Sequence, residues 1–110
     1  MKRYEETFEQ LEDMCFTKYD NDKLKYHLIP AKELEQIVQI FTFGANKYGE
    51  NNWQKCDDIN RYVDALYRHL EAWRKGEKMD LESGKSHLAH VAVNAIFVLY
   101  LDNNKDKNNE

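Results

Sequence analysis

Two helical patterns meet in residues 68–94, which read RHLEAWRKGEKMDLESGKSHLAHVAVN. Apolar residues recur at helical spacing on both sides of a central segment that is acidic, small or polar. A loop that only reversed the chain would not need Glu77, Asp80 and Glu82, followed at once by polar residues on an apolar helix. The stretch therefore predicts two packed helices joined by a loop that carries chemistry.

Upstream of this stretch, apolar spacing predicts two further helices. The first spans residues 3–15. The second begins at Pro30, since proline suits a first helical turn, and stops at Gly44. Residues 45–58 show no apolar periodicity, and the sequence therefore predicts a loop there.

The third predicted helix, residues 59–75, has the clearest apolar stripe. Asp57 or Asp58 is expected to cap its start, and Gly76 is expected to end it. The fourth predicted helix runs from about residue 85 to 102. Because no segment reads convincingly as a strand, the predicted fold is all-α, a compact bundle of four main helices.

The fourth predicted helix is apolar on nearly every side, which is typical of a helix buried against several partners. A chain of 110 residues has few elements to cover it, so we expect a homo-oligomer to complete the bundle. The predicted domain spans residues 1–101. Residues 102–110 are expected to form a disordered tail, because they are almost entirely polar.

Composition excludes several classes of protein. The net charge of −4 argues against a binder of nucleic-acid polymers, which would normally carry a basic excess. The sequence has no apolar stretch of membrane length, and we expect no signal peptide because residues 1–6 lack an apolar run. Cys15 and Cys56 lack metal-binding spacing, and we expect reduced thiols in a cytoplasmic protein rather than one disulfide.

The fourth predicted helix carries its polar groups near its start. His87, His90 and Asn94 follow one another at i, i+3 and i+7 and so share one face. Functional groups and hydrogen-bonded core residues both fit this pattern. The three carboxylates of the preceding loop suit Mg²⁺ or Mn²⁺, although a solvated acidic loop that caps the helix, with Glu82-Ser83-Gly84 as its capping residues, fits them too.

Other groups suit a phosphorylated ligand with an aromatic base. Arg68 offers a guanidinium for phosphate oxygens, with a surface ion-pair role as its alternative. The loop around Lys47 and Trp53 combines a cation, a glycine, asparagines and stacking rings. Its alternative is a packed loop in which Trp53 acts as a plug. Residues 18–23 form a weaker charged patch that also fits a solvated surface.

Several short motifs are distributed over residues 18–101. They are Lys18-Tyr19-Asp20, Leu28-Ile29-Pro30, Phe43-Gly44-Ala45-Asn46-Lys47-Tyr48-Gly49, Asn52-Trp53, Arg68-His69, Gly76-Glu77, Glu82-Ser83-Gly84, His87-Leu88-Ala89-His90 and Asn94. Together they resemble a family of phage and prophage proteins, the N-terminal domain of dATP/dGTP diphosphohydrolases. That family is similar to the MazG-type nucleoside triphosphate pyrophosphatases, so the resemblance implies a MazG-like all-α bundle.

The resemblance implies a Mg²⁺- or Mn²⁺-dependent enzyme of the host cytoplasm that splits a purine deoxynucleoside triphosphate between its α and β phosphates. The products would be the monophosphate and pyrophosphate. By the same resemblance, the metal ligands would be Glu77, Asp80 and Glu82. The catalytic residues would be His69, His87 and His90. The nucleotide would be bound by Lys18, Asp20, Lys23, Lys47, Tyr48, Asn52, Trp53, Arg68 and Asn94.

One departure from the MazG pattern supports an alternative function. Glu77-x-x-Asp80 has the spacing of the second acidic pair of such enzymes, but no Glu-x-x-Glu on a clear helix faces it, and Glu9-x-x-Glu12, which has the spacing of the first pair, lies outside the matching region. A chain without the first pair could bind a nucleotide without hydrolysing it, for example to sequester a nucleotide or cyclic-nucleotide signal of host defence.

Overall fold

The computed structural model describes residues 22–108. Three α-helices dominate this part of the chain: α1 (Ala31–Tyr48), α2 (Asn60–Arg74) and α3 (His87–Asn108). They correspond to the second, third and fourth predicted helices, and short 3₁₀ turns at Tyr26–Leu28 and Asn52–Lys55 precede and follow α1. The described residues form no strand, only an isolated bridge, so the predicted all-α class is confirmed. The helix predicted at residues 3–15 lies outside the described residues.

Helix α1 begins after Pro30, as predicted, and the Pro30 carbonyl accepts the first helical hydrogen bond, from Leu34 N–H. The predicted stop at Gly44 is wrong, because Gly44 lies inside the helix and residues 45–48 are helical. The helix ends at Gly49, whose φ of 98° is a left-handed conformation that favours glycine. Both glycines were visible in the sequence, but only the backbone shows which one has positive φ.

Helix α2 has the ends that local sequence rules predict. The carboxylate of Asp58 accepts a hydrogen bond from Asn60 N–H at 3.1 Å and satisfies a free donor of the first turn. At the other end Gly76 has φ 107° and donates its N–H to Trp73, while Glu77 donates to Ala72. This pair of bonds is a Schellman motif, which closes the helix through a glycine.

A closed loop, residues 75–86, connects α2 to α3. Asp80 N–H donates to the Lys85 carbonyl and His87 N–H donates to the Lys78 carbonyl, both at 2.8 Å. Ser86 caps α3, since its Oγ accepts a hydrogen bond from Leu88 N–H at 3.0 Å. The cap is therefore Ser86 and not the Glu82-Ser83-Gly84 segment that the sequence suggested. These bonds hold Asp80 against the first turn of α3.

Helix α3 packs along α1 and α2 and supplies most of the core of the described part. Val93 and Leu101 are buried on it, and Ile40 is buried on α1. An aromatic cluster adjoins this core, formed by Phe41, Trp53, Tyr62, Phe97 and Tyr100. The Tyr62 hydroxyl donates to the Trp53 carbonyl at 3.1 Å, which ties the loop after α1 to α2.

The end of α3 differs from the prediction. The helix continues through residues 102–108, which the sequence predicted to be a disordered tail. Within this extension the Asn104 amide donates to the Tyr100 carbonyl at 2.8 Å. The assignment of residues 1–101 to one domain stays a prediction. No helix in the described ranges is long and apolar enough to cross a membrane.

Candidate functional site

An imidazole cluster lies where the loop meets the start of α3. It consists of His69 from α2, Asp80 and Ser83 from the loop, and His87 and His90 from α3. The Nδ1 atoms of His69 and His87 are 2.8 Å apart, so one ring donates its proton to the other. The rings of His69 and His90 stack in parallel, with centroids 4.4 Å apart and an interplanar angle of 9°.

Asp80 and Ser83 orient the third ring of the cluster, that of His90. The Nε2 atom of His90 lies 2.6 Å from the Ser83 hydroxyl and 3.7 Å from the Asp80 carboxylate. Ser83 N–H donates to the same carboxylate at 2.9 Å. Each polar group of this part of the cluster is therefore oriented by another, which is the kind of support that positions a reactive group.

Burial sets the charge of the cluster. Burial is the main reason that the pKa of His69 and that of His90 lie below the ordinary value of 6.5, since a desolvated ring resists protonation. The positive charges of neighbouring imidazoles lower both pKa values further, and Asp80 opposes the shift. The two rings are neutral bases near pH 7.

Asp80 stays ionised in the same environment. Burial by itself would raise the pKa of its carboxyl group, but the hydrogen bond from Ser83 N–H and the positive charges that His90 and His69 carry when protonated at acid pH bring the pKa below its ordinary value. The cluster thus combines one carboxylate with imidazole nitrogens that keep their lone pairs. Such groups can accept a proton from water or bind a cation.

An open cleft of about 910 Å³ adjoins the cluster. It runs between the second half of α1, the loop that follows α1, and α3. Two polar residues of α3, His90 and the buried Asn94, reach it, together with Glu82 from the loop. Because His90 belongs to both the cluster and the cleft wall, a ligand in the cleft would contact the cluster through this ring.

The structure divides the three predicted metal ligands among different partners. Asp80 lies inside the imidazole cluster. Glu77 is exposed, with one carboxylate oxygen 3.7 Å from His87 Nε2. Glu82 forms an ion pair with Lys47 of α1 across the mouth of the cleft. Each acid is therefore near the predicted site, but the three carboxylates do not converge on one point.

The predicted nucleotide-binding residues are also divided. Tyr48, Asn52, Trp53 and Asn94 line the cleft, and Lys47 borders it through its pair with Glu82. One face of the Trp53 ring stacks on Phe97 at 4.5 Å, so this side chain fills the core as well as the cleft wall.

The remaining predicted residues lie elsewhere. Arg68 is exposed on α2 beside a separate shallow depression that Glu71 and Lys75 also line. Lys23 is exposed and does not line the cleft. Lys18 and Asp20 lie outside the described residues. Nothing in the described part of the chain brings Arg68 to the cleft.

Sequence reasoning missed several polar groups of the site, among them Ser83, Asn46 and Arg61. Ser83 contacts His90, and Asn46 and Arg61 line the cleft. Asn46 belongs to the motif of residues 43–49 that carried the family resemblance, and that motif was the available signal for it. Arg61 had no comparable signal, because its position on the polar face of α2 indicates only exposure to solvent.

The fold and this site define an all-α domain with a histidine- and aspartate-containing cluster at the edge of a cleft. The family model described as "dATP/dGTP diphosphohydrolase, N-terminal" matches residues 16–110, and the chain belongs to this family. A protein of Salmonella phage PMBT28 named "dATP/dGTP diphosphohydrolase" is 35% identical over 92 residues, which are 84% of this chain and 31% of the phage protein. The chain thus spans about a third of that relative. No solved structure matches it.

Proposed function

We propose that the cleft binds a purine deoxynucleoside triphosphate and that the chain takes part in its hydrolysis to the monophosphate and pyrophosphate. One observation carries the proposal: His90, a neutral imidazole oriented by Ser83, faces a cleft whose volume of about 910 Å³ suits a nucleotide. The name of the phage relative supports the substrate class. Hydrolysis would draw on the nucleotide pool of the cytoplasm.

The residues around the cleft supply the separate requirements of such a substrate. Tyr48, Asn52 and Trp53 offer aromatic surface and an amide for the base. Lys47 would meet phosphate oxygens once it leaves Glu82. The side chains of Lys47 and Glu82 are 40% and 61% exposed, and an exposed ion pair exchanges for a phosphate at little cost.

His90 is placed to assist the chemical step. A water oxygen would form a bond to the α-phosphorus, the bond from that phosphorus to the bridging oxygen would break, and pyrophosphate would leave with the electron pair. His90 would accept the proton of the water, because its lowered pKa keeps it neutral near pH 7. His87 is only 7% exposed and does not line the cleft, so we assign it no proton transfer.

Mg²⁺ does not fit the groups that converge here. This ion takes octahedral oxygen ligands, chiefly carboxylates, phosphates and water. The closest potential ligand set in the described residues instead contains two imidazoles and one carboxylate, from His69, His87 and Asp80. Glu82 is paired with Lys47, and Glu77 is 73% exposed. We therefore derive no step through Mg²⁺.

The test is a hydrolysis assay with a matched pair of histidine variants. The purified chain is incubated with dATP or dGTP and with Mg²⁺, Mn²⁺, Co²⁺ or Zn²⁺ in turn, and pyrophosphate release is measured. His90→Gln should abolish release, whereas His27→Gln, which changes an exposed histidine outside the cleft, should leave it unchanged. Recovery of unchanged nucleotide from a folded chain that binds it would refute hydrolysis and establish the binding alternative.

We also propose that the chain forms a homo-oligomer. On α3 the side chains of Leu88, Ile96 and Leu99 are 41%, 39% and 59% exposed, so the described residues do not cover them. Contiguous apolar surface of this kind is typical of an interface. Light scattering at micromolar concentration should give a mass of at least two chains, and a Leu99→Glu variant should lower it. A monomeric mass for the unmodified chain would contradict the proposal.

A further inference from the structure

We propose that His69, Asp80 and His87 bind one divalent transition-metal ion through two imidazole nitrogens and a carboxylate oxygen. One ligand atom from each residue lies within 4.8 Å of the other two, and all three side chains are buried or half-buried. The inference deepens the proposed function, since it assigns the ion of the same site. It is nevertheless testable without any nucleotide.

The two nitrogens are already close to the spacing that an ion requires. Imidazole nitrogens bind such ions at about 2.0–2.1 Å, so two of them on one ion lie roughly 3 Å apart. The Nδ1 atoms of His69 and His87 are 2.8 Å apart, held by a shared proton. An ion would take the place of that hydrogen, which would move to the Nε2 atom of the ring that carries it. The carboxylate of Asp80, one of three ligand groups within 4.8 Å of one another, would turn toward the rings to complete the set.

The surroundings of the ligands support the same assignment. A metal-bound histidine commonly presents its other ring nitrogen to a carboxylate, which fixes the tautomer that binds the metal. His87 is close to this arrangement: its Nδ1 faces His69, and its Nε2 lies 3.7 Å from a Glu77 oxygen, which is within ion-pair distance and longer than a hydrogen bond. Asp80 is oriented in turn by Ser83 N–H. Glu77 thus lies beside the Nε2 atom of His87, opposite the nitrogen assigned to the ion, and is not part of the ligand set.

The donor set also selects the class of ion. Imidazole ligands suit Zn²⁺, Fe²⁺, Co²⁺ and Ni²⁺, whereas Mg²⁺ prefers an all-oxygen shell. Two histidines and one carboxylate leave coordination positions for water or a phosphate oxygen. His90 is stacked on His69 and directed at the cleft, so it remains beside these open positions and does not have to serve as a ligand.

The first experiment titrates the whole chain, freed of metal with EDTA, with Zn²⁺, Co²⁺ or Mg²⁺. Calorimetry should show one equivalent of Zn²⁺ or Co²⁺ bound per chain and a raised melting temperature, and Mg²⁺ at the same concentration should produce neither. The visible spectrum of the Co²⁺ complex should indicate nitrogen and oxygen ligands. Thiolate charge-transfer bands would instead place the ion at a cysteine and overturn the proposal, as would equal binding of Mg²⁺.

Variants assign the ligands. Asp80→Asn and His87→Gln should each weaken Co²⁺ binding by more than about tenfold. Two matched controls should bind normally: His27→Gln removes an exposed histidine, and Glu82→Gln removes an acid that only the all-oxygen arrangement needs. Loss of binding in Glu82→Gln with normal binding in His87→Gln would overturn the assignment.

A second measurement does not depend on the folding of any variant. Diethyl pyrocarbonate modifies accessible histidines of the unmodified chain, and mass spectrometry locates the modified rings. Zn²⁺ should protect His69, the half-buried ring of the pair, and leave the exposed His27 reactive, and equal reactivity of His69 with and without Zn²⁺ would contradict the site. If the chain binds Zn²⁺ but hydrolyses no nucleotide, the proposed function fails and this site remains. If it hydrolyses dGTP but binds none of these ions at the cluster, only this site fails.

Discussion

The hydrogen bond between His69 and His87 supports a quantitative prediction for the metal-free protein. His87→Ala removes a ring that is only 7% exposed and leaves the Nδ1 atom of His69 without its partner at 2.8 Å. Lost burial and an unpaired polar atom together should cost about 3 kcal/mol of the free energy of unfolding. His69→Ala should cost about 2 kcal/mol, because that ring is half-buried.

The two histidines should not act independently. The double variant should lose about 1 kcal/mol less than the two single losses together, since a bond between the rings can be lost only once. The assay is urea unfolding of the four proteins in EDTA near pH 7.5, followed by circular dichroism. Glu71 and Arg74 provide the control cycle: they form an exposed pair on α2, and their coupling should be smaller.

Two results would refute this reasoning. Strictly additive losses would show that the two rings do not share a hydrogen bond. A coupling as small as that of the control pair would show that burial of the histidines does not strengthen their interaction. If the metal site exists, repeating the cycle with Zn²⁺ should increase the coupling, because the ion binds only when both rings are present.

Three further predictions concern the core, the titration of the cluster and the end of α2. Val93→Ala should lower the free energy of unfolding by about 2–3 kcal/mol, whereas Leu81→Ala, at a 99% exposed position, should change it by less than about 0.5 kcal/mol in urea unfolding. The pKa values of the half-buried His69 and His90 are lowered by folding, so below about pH 6.5 the unfolded chain binds protons that the folded chain does not. The urea midpoint should therefore be lower at about pH 5.5 than at about pH 7.5, and a constant midpoint would contradict this. Gly76→Ala forces a side chain into a backbone conformation with φ 107° and should lower the free energy of unfolding by about 1–2 kcal/mol, and with it the melting temperature. An unchanged melting temperature would show that alanine is not strained at this helix end.

Local sequence was sufficient for the elements that local forces determine. Helical spacing of apolar residues identified α1, α2 and α3, and Pro30, Asp58 and Gly76 were recognisable as helix ends because a cap acts on the turn beside it. The predicted helix end at Gly44 was wrong because local sequence does not decide between the two glycines of this segment. A helix tolerates a glycine, and only the backbone conformation at Gly49 shows where the helix ends.

The sequence also indicated the neighbourhood of the site, since its acids and histidines are close along the chain. The tertiary structure determines which acid lies beside which histidine or lysine. Hydrogen bonds that close the loop place Asp80 beside the rings, and packing of α1 against α3 brings Lys47 to Glu82, 35 residues away.

The contact between His69 and His87, from two different helices, arises in the same way. The helices, and the positions of these residues along them, follow from the sequence, because apolar spacing and helix capping are local. Which carboxylate meets which imidazole follows from the tertiary structure alone, because packing between helices and loop closure set those distances.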